Sequence, residues 1–278
     1  MTDLFAEKTC IITGSSSGIG LALAKELLRC GATVYMSGWR ETNSENLQTT
    51  ANLLQQYTGR AFARELDVRD EAAVQEYIAG IAECGPIDYL FANAGIGFKQ
   101  PFIRANRAVW ENLLNVNLYG IVHCVQAVVP IMLRQGHGHI INTGSVAGIV
   151  PAPYQTLYCA TKYATVGFSE SLRYELEPYN IKVTVICPGN VATQIFQRDT
   201  DYRVDEKRVA PPDSITSDQA ALEILEGVEA GRGIVPVQDW ARARYADIST
   251  DPAANDAQMR ALAEQRRQEF ITQGLLDR

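Results

Sequence analysis

Tyr158 and Lys162 stand four residues apart in the run Tyr158-Cys159-Ala160-Thr161-Lys162. On a helix that spacing puts two side chains on one face. A phenol beside an ammonium is acid/base chemistry. Free tyrosine titrates near about pH 10, too high for efficient proton exchange at neutral pH, and a neighbouring cation is expected to depress that value. Tyr/Lys pairs at this spacing are also ordinary exposed helix pairs. Ser145 tips the balance toward chemistry, because it follows directly on the strand-like run His139-Ile140-Ile141-Asn142-Thr143. Ligands bind at the carboxyl ends of strands in open α/β sheets, and a hydroxyl there can donate to a carbonyl oxygen.

A second constellation is the glycine-rich turn Thr13-Gly14-Ser15-Ser16-Ser17-Gly18-Ile19-Gly20, between a first strand pattern and a first helix pattern. Glycine suits that place because a side chain would hold the backbone away from a pyrophosphate, and because tight turns favour residues without Cβ. The exposed amides at the helix start then face the phosphates. In such units an acidic residue about 20 positions on holds the ribose of NAD, whereas an arginine accommodates the 2′-phosphate of NADP. Here the second strand ends Ser37-Gly38-Trp39-Arg40, with no acid until Glu41. That favours NADP(H) over NAD(H), with Arg40 as phosphate partner and Trp39 flanking the adenine. The alternative leaves Arg40 solvated and Trp39 capping the next helix.

These groups need a scaffold that brings strand ends together. Short β-branched runs at 9–13, 33–36, 61–66, 88–92, 139–143, 182–186 and 234–237 alternate with helical patterns at 21–30, 45–57, 70–84, 107–134, 156–177 and 217–230. Parallel strands need crossovers of about a dozen residues, so the alternation predicts an α/β fold: a doubly wound, Rossmann-type parallel sheet of about seven strands with helices on both faces. The expected organisation is one dinucleotide-binding and catalytic domain over 1–240, with 190–214 as a substrate lid. A helical extension follows over 241–278, packed on the surface or against another subunit.

Composition excludes several classes. The chain has 278 residues, 46% of them hydrophobic and 21% charged, with net charge −7, which argues against disorder and against a nucleic-acid partner. The first eight residues lack a signal-peptide core. The most apolar window, Gly120 to Leu133, is shorter than the roughly 20 residues a membrane helix needs. Cys10, Cys30, Cys84, Cys124, Cys159 and Cys187 are scattered, so they are expected to be buried small hydrophobes in a reducing cytoplasm. His137 and His139 lack a third ligand and are expected to bind no metal. His123 is expected to pack, and Cys159 faces away from the Tyr158 side of its helix.

Together the motifs resemble those of the short-chain dehydrogenase/reductase family, single-domain type, over about residues 5 to 240. The matches run in order: Thr13-Gly14-x-x-x-Gly18-x-Gly20, Leu66-Asp67-Val68, Ala92-Asn93-Ala94-Gly95, Val116-Asn117, Gly144-Ser145, Tyr158-x-x-x-Lys162 and Pro188-Gly189-x-x-x-Thr193. Ala92 stands where the family usually has asparagine. Ser17 and Trp39 stand where many NADP-dependent members carry basic residues. The resemblance implies Tyr158 as general acid/base, Ser145 as the group that polarises the carbonyl, and Lys162 as ligand of the nicotinamide ribose and tuner of Tyr158. It implies that Asn117 kinks its helix and places a water for proton relay. For the cofactor it implies Gly14, Ser16, Ser17, Gly18, Ile19 and Gly20 at the phosphates, and Asp67 and Val68 at adenine. Asn93, Ala94 and Gly95 would line the ribose side, with Pro188, Gly189, Val191 and Thr193 at the carboxamide and pyrophosphate.

The expected activity is hydride transfer between NADP(H) and a ketone or secondary alcohol. Ile96, Phe98, Ile149, Val150, Tyr154, Leu157, Ile195 and Phe196 suggest a hydrophobic or cyclic, hydroxysteroid-like substrate. Arg198, Arg203, Lys207 and Arg208 admit a second reading, a 3-oxoacyl thioester reductase, although acidic residues are interleaved among them. A non-catalytic dinucleotide-binding regulator is a third reading, and a complete Ser145/Tyr158/Lys162/Asn117 set argues against it. The resemblance further implies a homotetramer or dimer formed through the helix from Thr156 to Tyr179.

Overall fold

The computed structural model describes residues 2–38, 44–197 and 209–276. Trp39, Arg40 and Glu41 lie outside the described residues, as do the lid cations Arg198, Arg203, Lys207 and Arg208. Seven strands form one parallel sheet: β1 (Thr9–Thr13), β2 (Thr33–Gly38), β3 (Ala61–Glu65), β4 (Tyr89–Ala92), β5 (Gly138–Thr143), β6 (Ile181–Pro188) and β7 (Ile234–Val237). Their order is β3-β2-β1-β4-β5-β6-β7. The order reverses between β1 and β4, so the crevice beyond their carboxyl ends is where a ligand of a doubly wound sheet sits.

Alternation along β1 builds both cores. Cys10 and Ile12 face a core shared with α2 (Gly18–Arg29) and α8 (Ser217–Glu229). Ile11 faces the opposite core, shared with α4 (Glu71–Ala82) and α6 (Gly120–Gln135). This is the period-two pattern of a strand covered on both sides. α3 (Ser44–Gln56) contributes Leu53 to the first core, and α7 (Thr156–Leu176) contributes Leu176 to the second.

The stretch from Arg107 to Gln135 is longer and more apolar than the Gly120–Leu133 window suggested: by length and composition it could cross a membrane. Here it is a core helix, with Ile121, Cys124, Val125, Val128 and Met132 buried in the second core. It is interrupted between α5 (Arg107–Leu114) and α6 by a π-helical turn, Asn115–Tyr119, which contains buried Asn117. Such turns insert an extra residue and re-aim side chains, often at functional sites.

One short helix at the start has no counterpart in the sequence pattern, and the helical extension expected over 241–278 is two helices. α1 (Thr2–Phe5) forms because Phe5 is fully buried, its ring 5.1 Å from that of Tyr89. α9 (Asp239–Thr250) and α10 (Pro252–Thr272) have weak amphipathic patterns. They pack on the chain itself: Ile248 and Met259 lie against Ile149, Val150, Val185 and Cys187. The cysteine expectation holds for Cys10, Cys30, Cys124 and Cys187, while Cys159 is half-buried and Cys84 is exposed. Cys84 sits just past the end of α4, where the chain leaves the core.

Candidate active site

The glycine turn closes onto its own strand ends. Ser15 is buried, donating from Oγ to the carbonyls of Ile12 (3.0 Å) and Ser37 (3.1 Å) and accepting from the Ser37 amide (2.9 Å). Gly14 has φ +64 and Gly18 φ +53, conformations that favour glycine. The three glycines then divide their tasks. A Cβ on Gly14 would come within 2.7 Å of Ala94 Cα, one on Gly20 within 2.3 Å of the Gly14 carbonyl oxygen, and one on Gly18 within 2.9 Å of Thr193 Cγ2. The first and third glycines therefore serve protein packing, and the second lets Thr193 approach the turn.

Two observations fit a dinucleotide here. Asp70, Asn106 and Thr216 cap their helices with side-chain hydrogen bonds, whereas Ser17 makes none at the start of α2. The α2 amides thus face the turn without a side-chain acceptor, the arrangement that receives phosphate. Beside the turn, Ser37 Oγ is buried without a partner, and a Cβ on Gly38 would sit 2.6 Å from Ser16 Oγ. Asp67 and Val68 follow β3, and both side chains have contacts within the chain. The Asp67 carboxylate is bound by Arg69 (2.6 Å), and Val68 turns its side chain into the core, where a Cβ on Gly120 would meet it at 2.6 Å.

Asn93 ties three elements together. Its Nδ2 donates to the carbonyls of Thr13 (3.1 Å) and Gly14 (3.2 Å), and its Oδ1 accepts from Thr143 Oγ1 (3.3 Å). The amides of Asn93 and Ala94 both donate to Thr13 Oγ1, at 3.0 and 3.1 Å. Thr13 and Thr143 were missed as supporting residues. The available signal was a hydroxyl at the last position of two strands that point at one crevice.

The reactive cluster lies beyond β5 and β6. Lys162 is 2% exposed, and its Nζ donates to the Thr143 carbonyl at 2.8 Å. Burial of the ammonium pushes its pKa down to about 8. Ser145 is buried, with Oγ 3.4 Å from the Pro188 carbonyl and accepting from the Ala147 amide at 3.1 Å. It holds the serine loop closed, and Gly148 lets that loop lie on α7: a Cβ there would be 2.6 Å from the Lys162 carbonyl oxygen. Burial pushes the Tyr158 phenol up to about 12, while a hydrogen bond with Ser145 pulls it down. This reverses the expected depression. The Lys162 ammonium is 5.6 Å from the Tyr158 ring centre, and burial dominates the titration of the phenol.

Asn117 is fully buried at the π turn. Its Oδ1 accepts from the Ile96 amide at 2.8 Å, and its Nδ2 donates to the Ile96 carbonyl (2.9 Å) and Thr161 Oγ1 (3.2 Å). The carboxamide is therefore a tie between the loop after β4 and α7. An ideal Cβ on Gly95 would be 3.4 Å from Asn117 Oδ1 and 3.6 Å from Lys162 Nζ, so Gly95, Asn117 and Lys162 converge on one point.

On the substrate side, the expected apolar lining is partly core. Leu157 is fully buried, in a cluster with Phe98 and Leu113 against which Ile96 and Tyr158 pack. Ile149 and Val150 pack against Val185 and Cys187. Ile195 touches the loop after β4, lying 2.8 Å from where a Gly97 Cβ would stand. Two segments after β6 are zipped together: Val191 pairs with Ile215, the Ala192 amide donates to the Ile215 carbonyl (2.9 Å), and Asn190 Nδ2 donates to Asp213. Pro188 and Gly189 end β6 beneath them, where a Cβ on Gly189 would meet Gln238 Oε1 at 2.2 Å. Among the described residues no group of His, Cys, Asp and Glu could hold a metal ion.

This sheet order, with a glycine turn at the reversal and a hydroxyl, phenol and ammonium beside it, defines an α/β enzyme on a dinucleotide-binding fold. The chain belongs to the short-chain dehydrogenase family, whose sequence profile matches residues 8–203, and it is an oxidoreductase of that family. It is 34% identical over 192 residues to a 3-oxoacyl-(acyl-carrier-protein) reductase of Thermotoga maritima, covering 69% of this chain and 77% of that one. The fold is similar to that of a short-chain dehydrogenase/reductase from Burkholderia phymatum in complex with NAD, with TM-score 0.77, 26% identity and coverage of 88% and 95%. It is also similar to a short-chain dehydrogenase from Sphingobium yanoikuyae in complex with NADPH, with TM-score 0.74, 25% identity and coverage of 90% and 96%.

Proposed function

We propose that this protein interconverts a ketone and a secondary alcohol with NADP(H), on a hydrophobic or cyclic substrate. The observation that carries the reading is the convergence of Ser145, Tyr158 and Lys162 beside the glycine turn, with Asn117 locking the loop between them. A bound nicotinamide would supply or accept the hydride. Tyr158 gives a proton to the substrate oxygen in reduction and takes it back in oxidation. Ser145 donates a hydrogen bond to the same oxygen and holds the phenol in place. Lys162, anchored on the Thr143 carbonyl, supplies positive charge beneath the phenol and is placed to bind the ribose hydroxyls. Gly14, Ser16, Ser17, Gly18, Ile19 and Gly20 hold the phosphates, while Asn93, Ala94, Gly95, Pro188, Gly189, Val191 and Thr193 flank the rest of the dinucleotide, and Asp67 and Val68 its adenine.

The cofactor preference rests on Arg40, because the solved relatives hold NAD in one case and NADPH in the other. The Thermotoga maritima relative favours the second reading, reduction of a 3-oxoacyl thioester. We place the enzyme in the cytoplasm as a homo-oligomer associating through α7 and the turn after it, where Tyr163, Tyr174 and Tyr179 are exposed. The test is a screen of NADPH and NADH against cyclic ketones and an acetoacetyl thioester, followed by absorbance of the reduced nicotinamide. Tyr158→Phe is expected to keep cofactor binding and to lose at least about 10³-fold in kcat, within the range for a removed acid/base; substantial residual turnover would refute this mechanism. The parent is expected to show a higher kcat/KM with NADPH than with NADH, and Arg40→Ala to shrink the gap. An NADH preference in the parent overturns the cofactor assignment.

A further inference from the structure

The C-terminal helix α10 grips both loops that flank the substrate side. Arg266 Nη1 donates to the Pro153 carbonyl and lies 3.5 Å from Gln155 Oε1. Phe270 is buried with its ring centre 5.2 Å from that of Tyr154. Tyr154 has φ +63, a left-handed conformation that a non-glycine residue keeps only when its surroundings hold it. From the loop after β4, Lys99 pairs with Glu269 at 2.8 Å, and Arg104 Nε donates to the Leu275 carbonyl at 3.2 Å. The two loops also meet directly, the Gln100 amide donating to the Tyr154 carbonyl at 2.9 Å. One residue beyond Gln155, α7 begins at Thr156 and carries Tyr158 in its first turn.

Arg266 differs from its neighbours on the helix. Arg260 and Arg267 pair with acids on their own helix, Asp256 and Glu264, the weak surface pairs of an exposed face. Arg266 is half-buried and directs its guanidinium to loop backbone and an amide instead. A charge-assisted hydrogen bond to a carbonyl is the stronger kind, and here it fixes the segment that feeds the catalytic helix.

We propose that α10 is a clasp on the substrate side of the site, with Arg266 the positioning residue that sets the conformation of residues 150–157 and so the seat of the substrate against Tyr158. The substrate part of this inference rests on the oxidoreductase reading above; the loop part does not.

The test uses the full chain with Arg266→Ala and Arg266→Lys. Three quantities are read: hydrogen exchange of peptides covering 150–158, NADPH binding by nicotinamide fluorescence, and steady-state reduction of 1-decalone and of S-acetoacetyl-N-acetylcysteamine. Arg266→Ala is expected to speed exchange in 150–158 at least tenfold while leaving β1, β4 and the glycine turn unchanged. NADPH affinity stays within twofold. KM for the ketone that the parent reduces better rises at least fivefold, with kcat within twofold, and Arg266→Lys recovers at least half of both effects by keeping one donor on the Pro153 carbonyl. Unchanged exchange in Arg266→Ala overturns the clasp. So does faster exchange spread across the sheet with a parallel loss of NADPH affinity and no recovery in the lysine variant, which is the signature of general loosening. A parent that reduces neither ketone overturns the ketone-substrate reading alone, since exchange still decides the clasp.

Discussion

The two ends of the sheet both gather polar side chains, yet they treat them differently. At the amino end, Asp88 is answered on every side: Lys8 Nζ at 3.2 Å, the Thr9 amide at 2.9 Å and His137 Nε2 at 3.4 Å. His139 meets Thr184 Oγ1 at 2.9 Å, and that hydroxyl donates a hydrogen bond to the Arg232 carbonyl at 2.8 Å. At the carboxyl end, Lys162 is buried with a carbonyl partner and makes no ion pair among the described residues. Ser37 Oγ, Gln194 Oε1, Ser214 Oγ and Gln238 Oε1, all near that end, are buried without partners. Buried polar groups are normally satisfied. Arg173 Nε, beside Gly233 at the start of β7, is an unpartnered group at the amino end, and Asn142 Oδ1 is another within β5; the balance of such groups still favours the carboxyl end as the place for a ligand's polar atoms.

The contrast can be broken at several points. The largest effect is expected at Lys162. Lys162→Met should lower kcat/KM by about 10³-fold, some 4 kcal/mol of transition-state stabilisation. Folding stability should hold or rise, because an apolar chain of similar length replaces a buried charge. A drop of more than about 2 kcal/mol in a denaturant titration would show the lysine to be structural. Next comes His139, whose burial holds the imidazole at about 4. The unfolded imidazole titrates near about 6.5, so between pH 6.5 and 4 only the unfolded chain takes up the proton. The stability from this group is complete above pH 6.5 and is lost as pH falls toward 4, by about 3 kcal/mol. His139→Gln should flatten that part of the acid limb in unfolding midpoints taken across pH 4 to 7. If the limb keeps its slope, other groups cause it. Smallest is Asp88→Asn. The Lys8 side chain is 43% exposed and the amide keeps an acceptor for Thr9, so about 1 kcal/mol of stability should go while turnover is unaffected. A fall in turnover would mean that the amino end is coupled to the site.

Legibility followed distance along the chain. Tyr158 and Lys162 sit within one turn of one helix, and Ser145 follows a strand whose register is set by burial, so local pattern sufficed for all three. Asn117 came through resemblance, and only packing showed its carboxamide bound to Ile96 and Thr161. Leu157, Ile149 and Val150 are expected at the substrate because an apolar residue near a strand's carboxyl end has the same signature whether it faces a ligand or a neighbouring helix. The direction of the Tyr158 shift was misread for a related reason. A charge four residues away is visible in sequence, whereas the desolvation that raises the phenol's pKa is set by every element packed around it.

Strand-helix alternation, the glycine turn and the short-range catalytic spacing are written in the amino acids alone, because each depends on contacts within a few residues or on which face of one element is apolar. Family membership follows from that order of motifs. The tertiary structure decided what depends on pairs far apart in the chain. Asn93 joins the glycine turn to β5, Gly189 makes room for Gln238, and Arg266 reaches back more than a hundred residues to Pro153. Such contacts leave no period in the sequence, since they form only when the sheet has already brought its strand ends together.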